Sequence, residues 1–385
     1  MRGRPAVAGL PGIVVAALVA AGCGDAVSPA HHGLRVPALA AAAGTGISLD
    51  QMSGSFGLSG MHIGKGFLPT NPHLGDAIVV TFFWIGADTI TTVADHLCDE
   101  APQPSGYPGT PVGNTYTRVD YVTTGGISMP TYVATNVQNF PDPSLDPSTL
   151  LCVHAIFAQP VTDAGILMSA WSGVNVVSGQ ALGAHSSASG SGSTTTVADA
   201  GAIPVGTGAL TYGVTMSNGL FGRDPPQGFG NISTQSDASI VGEGDYAVQS
   251  SAGTVDPRWT WYFSSPSSWL ATAFTLNPPL HLGFTVQPST TLPLLPIQPA
   301  VQVTVLDAFG NRNTSYTGQV TIAIGHNGGL VAPGTLSGTK TVTVVNGVAT
   351  FSDLSIDQPG TGYTLVVSGP TLTGAESTPF NIGAF

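Results

Sequence analysis

The chain has 385 residues, of which 8% are charged, against about 25% in an ordinary soluble domain. Its 51 glycines and 30 prolines exclude a coiled coil or a helical bundle, which draw on Glu, Lys, Arg and Leu instead. Nine Lys plus Arg against 21 Asp plus Glu exclude a nucleic-acid surface, which needs clustered cations to meet phosphates.

Arg2 and Arg4 open the chain, and an uncharged apolar stretch runs from Pro5 to Ala21 before Gly22-Cys23. A basic start, a short apolar run and small residues at its end predict a secretory signal peptide over residues 1–22. Ala20-Ala21-Gly22-Cys23 resembles the lipobox of bacterial lipoproteins, with Ala20 where Leu is commonest. That resemblance implies a diacylglycerol thioether on Cys23 and a membrane partner reached through lipid. Ordinary cleavage near Ala20, leaving Cys23 as an odd thiol, is the competing reading. Acyl chains rather than a basic patch would hold this acidic chain at a membrane, and more than one is needed for stable anchoring. Residues 23–47 are alanine-rich without a period, a tether.

Ser48–Leu74 is punctuated by glycines and by Pro69 and Pro72, which leaves room for one edge strand or a covering loop. Ala77–Ile85 is a β-branched and aromatic run, long enough for a strand buried on both faces. Further runs at short spacing predict strands at Thr89–Ala94, Thr115–Val122, Thr131–Asn136, Leu150–Ala158, Ile166–Trp171 and Ala181–Ser187. Ala209–Met216, Ala238–Val241, Tyr246–Ser250, Arg258–Phe263 and Trp269–Leu276 complete this set. The Ser/Thr/Gly run Ser186–Thr196 reads as a solvated turn or edge strand. The expected fold is all-β, with a jelly-roll-like β-sandwich over residues 48–277.

Asn277-Pro278-Pro279 marks a boundary, because consecutive prolines lack amide donors for sheet pairing. Residues 280–385 then carry about seven short strands, the number in a small immunoglobulin-like (Ig-like) β-sandwich. Asn346-Gly347 between Val342–Val345 and Val348–Phe351 is a strong hairpin signal. The strings Ala300–Asn311, Gly334–Gly338, Asn346–Phe351 and Gly360–Leu365 resemble the bacterial Ig-like modules of invasin- and intimin-type surface proteins. This resemblance implies a spacer or adhesive module at the cell surface. Gly75–Val80, Val93–Asp95, Gly113–Val119, Trp171–Val174 and Trp269–Leu276 more loosely resemble a β-sandwich module of bacterial surface proteins that has no assigned activity.

Chemistry-bearing motifs are sparse. There is no GxSxG elbow, HExxH helix, P-loop or EF-hand loop. Gly242-Glu243-Gly244-Asp245-Tyr246-Ala247 matches GxGxxA, but two acids inside the string repel a pyrophosphate. Cys98 and Cys152 are the cysteines left after Cys23. They form a disulfide in an oxidising compartment or stay as buried thiols. A bridge would bring His96 and His154 into one neighbourhood, with Asp95, Asp99 and Glu100 beside His96, though no metal-ligand spacing supports a site. No cofactor is expected. Alternation along Arg258–Phe263 puts Trp259 and Trp261 on one face, either as core or as a platform for sugar rings. Asp95, Asp99, Glu100 and Asp120 are the acids available to a glycan hydrolase.

The expected role is therefore non-enzymatic. A protein lipid-anchored to the bacterial envelope, at the outer membrane or cell surface, displays an adhesive or ligand-binding surface to a polysaccharide or surface protein. A carbohydrate-active hydrolase and a purely structural envelope spacer are the alternatives.

Overall fold

The computed structural model describes residues 46–98, 109–144, 149–219, 223–263, 267–307, 310–314 and 316–383. Cys23, with the signal-peptide and most of the tether expectations, lies outside them, as do Asp99 and Glu100. The regular secondary structure of the described residues is almost entirely strand. In chain order the first part holds β1 (Ser48–Gly66), β2 (Ala77–Ile85), β3 (Ile90–Leu97), β4 (Thr117–Thr124), β5 (Ile127–Ala134) and β6 (Leu151–Ser172). A one-turn helix, α1 (Ser178–Ala181), precedes β7 (Leu182–Gly192), β8 (Thr195–Asp199), β9 (Ile203–Val205) and β10 (Leu210–Ser217). Next come β11 (Arg223–Asp224), β12 (Gly230–Ser236), β13 (Val241–Val248), β14 (Gly253–Val255), β15 (Arg258–Tyr262) and β16 (Ser267–Leu276).

Two large antiparallel sheets face each other. One runs β1-β6-β2-β5-β4, with β3 also on β6, and the other runs β12-β13-β10-β16-β7. Between them lies a core of Val79, Phe83, Leu167 and Trp171 from the first sheet against Tyr212, Val214, Leu270 and Phe274 from the second. The outer faces are covered too. Ile78, Val80, Phe82 and Trp84 turn the other way from β2 and pack against Val153, Ala155 and Phe157 of β6. Behind the second sheet, β11-β15-β8 lays Trp259 and Trp261 onto Ala271 and Ala273. This double covering explains why β2 is an unbroken apolar run: alternate side chains enter different cores. Its one hydroxyl among them, Thr81, is matched across the ladder by Thr131 at 2.9 Å.

β6 is a single 22-residue strand, where the sequence predicts two, Leu150–Ala158 and Ile166–Trp171, with a break over residues 159–165. Its first half pairs with β3, its second half with β2, and β1 follows it along both. The turn between halves is taken up by bulges in the β1–β6 ladder, with Pro160 in the unpaired stretch between Val161 and Ile156, where a missing amide costs no ladder bond. The glycine-rich stretch before β2 is thus a full strand rather than a covering loop. Likewise Gly242 and Gly244 lie inside β13, close under Phe83 and Leu167, so the two strands predicted around them are one.

The second part holds β17 (His281–Val286), β18 (Val301–Leu306), β19 (Gln319–Ile324), β20 (Leu336–Ser337), β21 (Thr341–Thr343) and β22 (Val348–Phe351). β23 (Ser355–Ile356), β24 (Gly360–Tyr363), β25 (Leu365–Gly369), β26 (Leu372–Glu376) and β27 (Phe380–Ile382) end the chain. β17-β18-β22 and β21-β19-β25-β26 are joined by one parallel pair, His281 with Thr373. They enclose a separate core of Val303, Ile322, Phe351, Tyr363 and Leu365. No ladder among the described residues joins β1–β16 to β17–β27, and the prolines at 278 and 279 keep pairing from running through the connection itself. The architecture is an all-β sandwich throughout, with no helix among the described residues long and apolar enough to cross a membrane.

Candidate functional site

The end of β3 and the start of β6 bring together most of the residues that the sequence singles out. Cys98 and Cys152 are disulfide-bonded, with Cα atoms 5.4 Å apart, a normal separation for a bridge. A side chain at Gly66 on β1 would come within 2.9 Å of the Cys98 sulfur, so glycine is what lets the third strand close over the bridge. Two residues before Cys98 and two after Cys152, His96 and His154 place their Nδ1 atoms 3.0 Å apart. Both are buried, and burial, then the neighbouring His96 and His62, push the His154 imidazole down to about 4.

Asp95 is not a free ligand in this neighbourhood. Its carboxylate accepts from the Gly113 and Asn114 amides at 2.9 and 3.1 Å, from Asn114 Nδ2 at 2.7 Å and from the Tyr116 hydroxyl at 3.2 Å. It ties the return of the loop to β3. Asp120 accepts from Ser187 Oγ at 2.6 Å and lies 3.6 Å from His185 Nδ1, linking β4 to β7.

A second cluster escapes sequence reading. Asp50, His73 and Asp76 offer three ligand atoms within 4.8 Å of one another. Asp50 is the extra residue of a bulge in β1, since Leu49 pairs with Trp171 and Gln51 with Ala170; bulges re-aim side chains in this way. His73 and Asp76 are the ends of a turn closed by the Asp76 amide on the His73 carbonyl, with Gly75 at φ +93°, a conformation that favours glycine. The His73 amide reaches Asp50 Oδ2 and Asp76 Oδ2 at 3.1 and 3.2 Å, and His73 Nδ1 meets Asp50 Oδ2 at 3.0 Å. Burial, then the adjoining Asp50 carboxyl, raise Asp76 to about 8. The hydrogen bond to Asp50 raises His73. Two carboxyls so placed can share a proton or meet a cation, and the three supply only part of the shell that calcium or zinc takes. The only signal in the sequence is the short spacing of His73 and Asp76; nothing there joins them to Asp50.

Trp259 and Trp261 share a face, as alternation predicts, but both are fully buried. Neither can stack on a sugar, because β15 lies against the second sheet with that face inward. Trp259 Nε1 donates to Asp245 Oδ2 at 2.8 Å and Trp261 Nε1 to Thr215 Oγ1 at 3.3 Å. Trp259 fits because Gly213 beneath it has no side chain. Asp245, also bonded by Asn231, is raised to about 6 by its burial. Its neighbour Glu243 pairs with Arg223 and accepts from Thr234 Oγ1 at 2.7 Å. The glycine-and-acid string around them is the middle of β13 rather than a strand-to-helix loop, so it forms no phosphate cradle.

No family model, curated protein or solved structure matches the chain.

Proposed function

We propose that the chain is exported, lipidated at Cys23 and held at the bacterial envelope, where it displays a rigid, non-enzymatic β-sandwich for ligand binding or adhesion. The observation that carries this reading is the Cys98–Cys152 bridge. It uses up both cysteines that would remain in the mature part, as suits an oxidising compartment. The basic and apolar leader ending at Gly22-Cys23 supplies the export route and the anchor. The C-terminal part, similar in its strings to bacterial Ig-like modules, then serves as a spacer or a second adhesive face. Labelling of expressing cells with tritiated palmitate, followed by fractionation, tests this directly. Label in the membrane fraction that disappears in Cys23→Ser supports the reading. Unlabelled protein in the cytosol, or steady turnover of polysaccharides by the purified chain, overturns it.

A further inference from the structure

We propose that the cleft between the two parts of the molecule is a binding site for a neutral, polyhydroxylated glycan chain. This rests on the display reading above and names the ligand class and its place. The cleft has a volume of about 900 Å³, within the range of sites for small ligands, which gather where separately cored units meet. One wall is α1 with the Asn277–Leu280 connection, and the other is Asp307, residues 311–314 and residues 316–318 with the Pro370-Thr371 turn.

Its chemistry is that of a sugar site. Gln180, Asn277 and Asn311 bring carboxamides to the wall. Gln180 is held at both ends by Asn175 and Thr371 and serves to fix the wall, whereas Asn277 and Asn311 donate through Nδ2 within the protein and turn their oxygens to a sugar hydroxyl. Tyr316 contributes a half-buried ring. Its hydroxyl donates to the Pro370 carbonyl at 3.1 Å, and a side chain at Gly318 would strike it, so the ring is held as a fixed platform for the C–H face of a pyranose. Asp307 and Arg312, of opposite sign, are the only Asp, Glu, Lys or Arg among the described lining residues. A phosphate or polyanion needs more cations than that, and the chain's net charge of −12 repels one.

The cleft is also preformed. Gln180 Nε2 donates to Thr371 Oγ1 across it at 2.6 Å, and Asn277 Nδ2 donates to the Gln180 carbonyl at 3.0 Å. Walls fixed before binding spare the ligand an ordering cost. A second cavity of about 320 Å³ borders the same 175–180 segment, through Val176 and Ser178. It repeats the chemistry with Asn114, Asn136 and Gln138 and has no charged residue among its described lining.

Titration calorimetry of the full chain in detergent against cello-, xylo-, manno- and maltohexaose tests the proposal, with an uncharged Gly-Ser decapeptide alongside. At least one hexaose is expected to bind, and Gly206→Trp to weaken it tenfold or more. Gly206 lines the cleft with open space around it, so the indole fills the cleft without disturbing the core. Tyr316→Ala is expected to weaken binding similarly and Tyr316→Phe to leave it near wild type. Absence of binding to any hexaose, binding of the peptide alone, or unchanged affinity in Gly206→Trp overturns the proposal. Palmitate labelling of the same preparation separates the two readings: labelled protein that binds no sugar sinks the cleft alone, and unlabelled protein that binds sugar sinks the anchor alone.

Discussion

His96 and His154 meet across β3 and β6 with 3.0 Å between their Nδ1 atoms, an approach that two imidazolium ions could not tolerate. One ring donates and the other accepts, so the pair is held together only while a proton is missing. The folded state keeps His154 neutral down to about 4, whereas the unfolded chain takes up a proton near 6.5. Stability from this residue is complete above 6.5 and is lost as pH falls toward 4. Urea denaturation at pH 6.5, 5.5 and 4.5 should show wild type losing about 1.4 kcal/mol per pH unit more than His154→Gln. Parallel pH profiles for the two proteins would refute this.

Asp76 works in the opposite direction. With its folded value raised to about 8 by burial and Asp50, the native state holds a proton that the unfolded chain gives up above about 4. Its contribution to stability therefore falls as pH rises from 4 to 8. Asp76→Asn keeps an oxygen for the His73 amide and offers Asp50 a permanent donor. The variant should gain on wild type as pH climbs, by at least about 1.4 kcal/mol at pH 8. Thermal melts at pH 5 and pH 8 read the effect, and a constant difference between the two pH values would exclude it.

The disulfide spans 54 residues of sequence, and closing a loop of that size stabilises by at most about 4 kcal/mol on the chain-entropy model. Because its two ends are already held by the β3–β6 ladder, the Cys98→Ser/Cys152→Ser protein should still fold, with a lower melting temperature. Peptide mapping without reductant checks the premise, and recovery of two alkylated cysteines would contradict it.

Trp259→Phe removes the indole donor from Asp245 while keeping most of the ring. The carboxyl left short of a partner should cost about 1–3 kcal/mol. Sugar affinity should not change, since β15 is no part of the cleft. A variant as stable as wild type, or one with weakened sugar binding, would reverse the assignment of this tryptophan to the core.

Sheet character was legible in the sequence wherever side chains declare it. Ala77–Ile85 and Trp269–Leu276 carry their burial on both faces in their composition. Strand ends are less legible where context overrides local preference: Gly242 looks like the end of a strand, yet β10 and β12 on either side carry the backbone through it, and Pro160 looks like one too, yet it sits where a bulge has already opened the ladder. Of the site chemistry, the sequence brings His96 near His154 only on condition that Cys98 and Cys152 are bridged, and it leaves that condition open; the bridge is present. The Asp50 cluster was not legible at all, because a bulge is a property of two strands in register and leaves no mark on one of them. Alternation placed Trp259 and Trp261 on one face without saying which face, and only the third sheet layer decides that.

Burial of β2 on both faces has a bearing on how this protein can diverge. Eight of its nine positions are buried, and every second one belongs to a different core, so a change at either parity disturbs a separate set of neighbours. Sequence drift is therefore channelled away from the centre of the stack and toward the connections at its rim, where the walls of the cleft are built. Those connections can be rewritten while the stack beneath them stays the same.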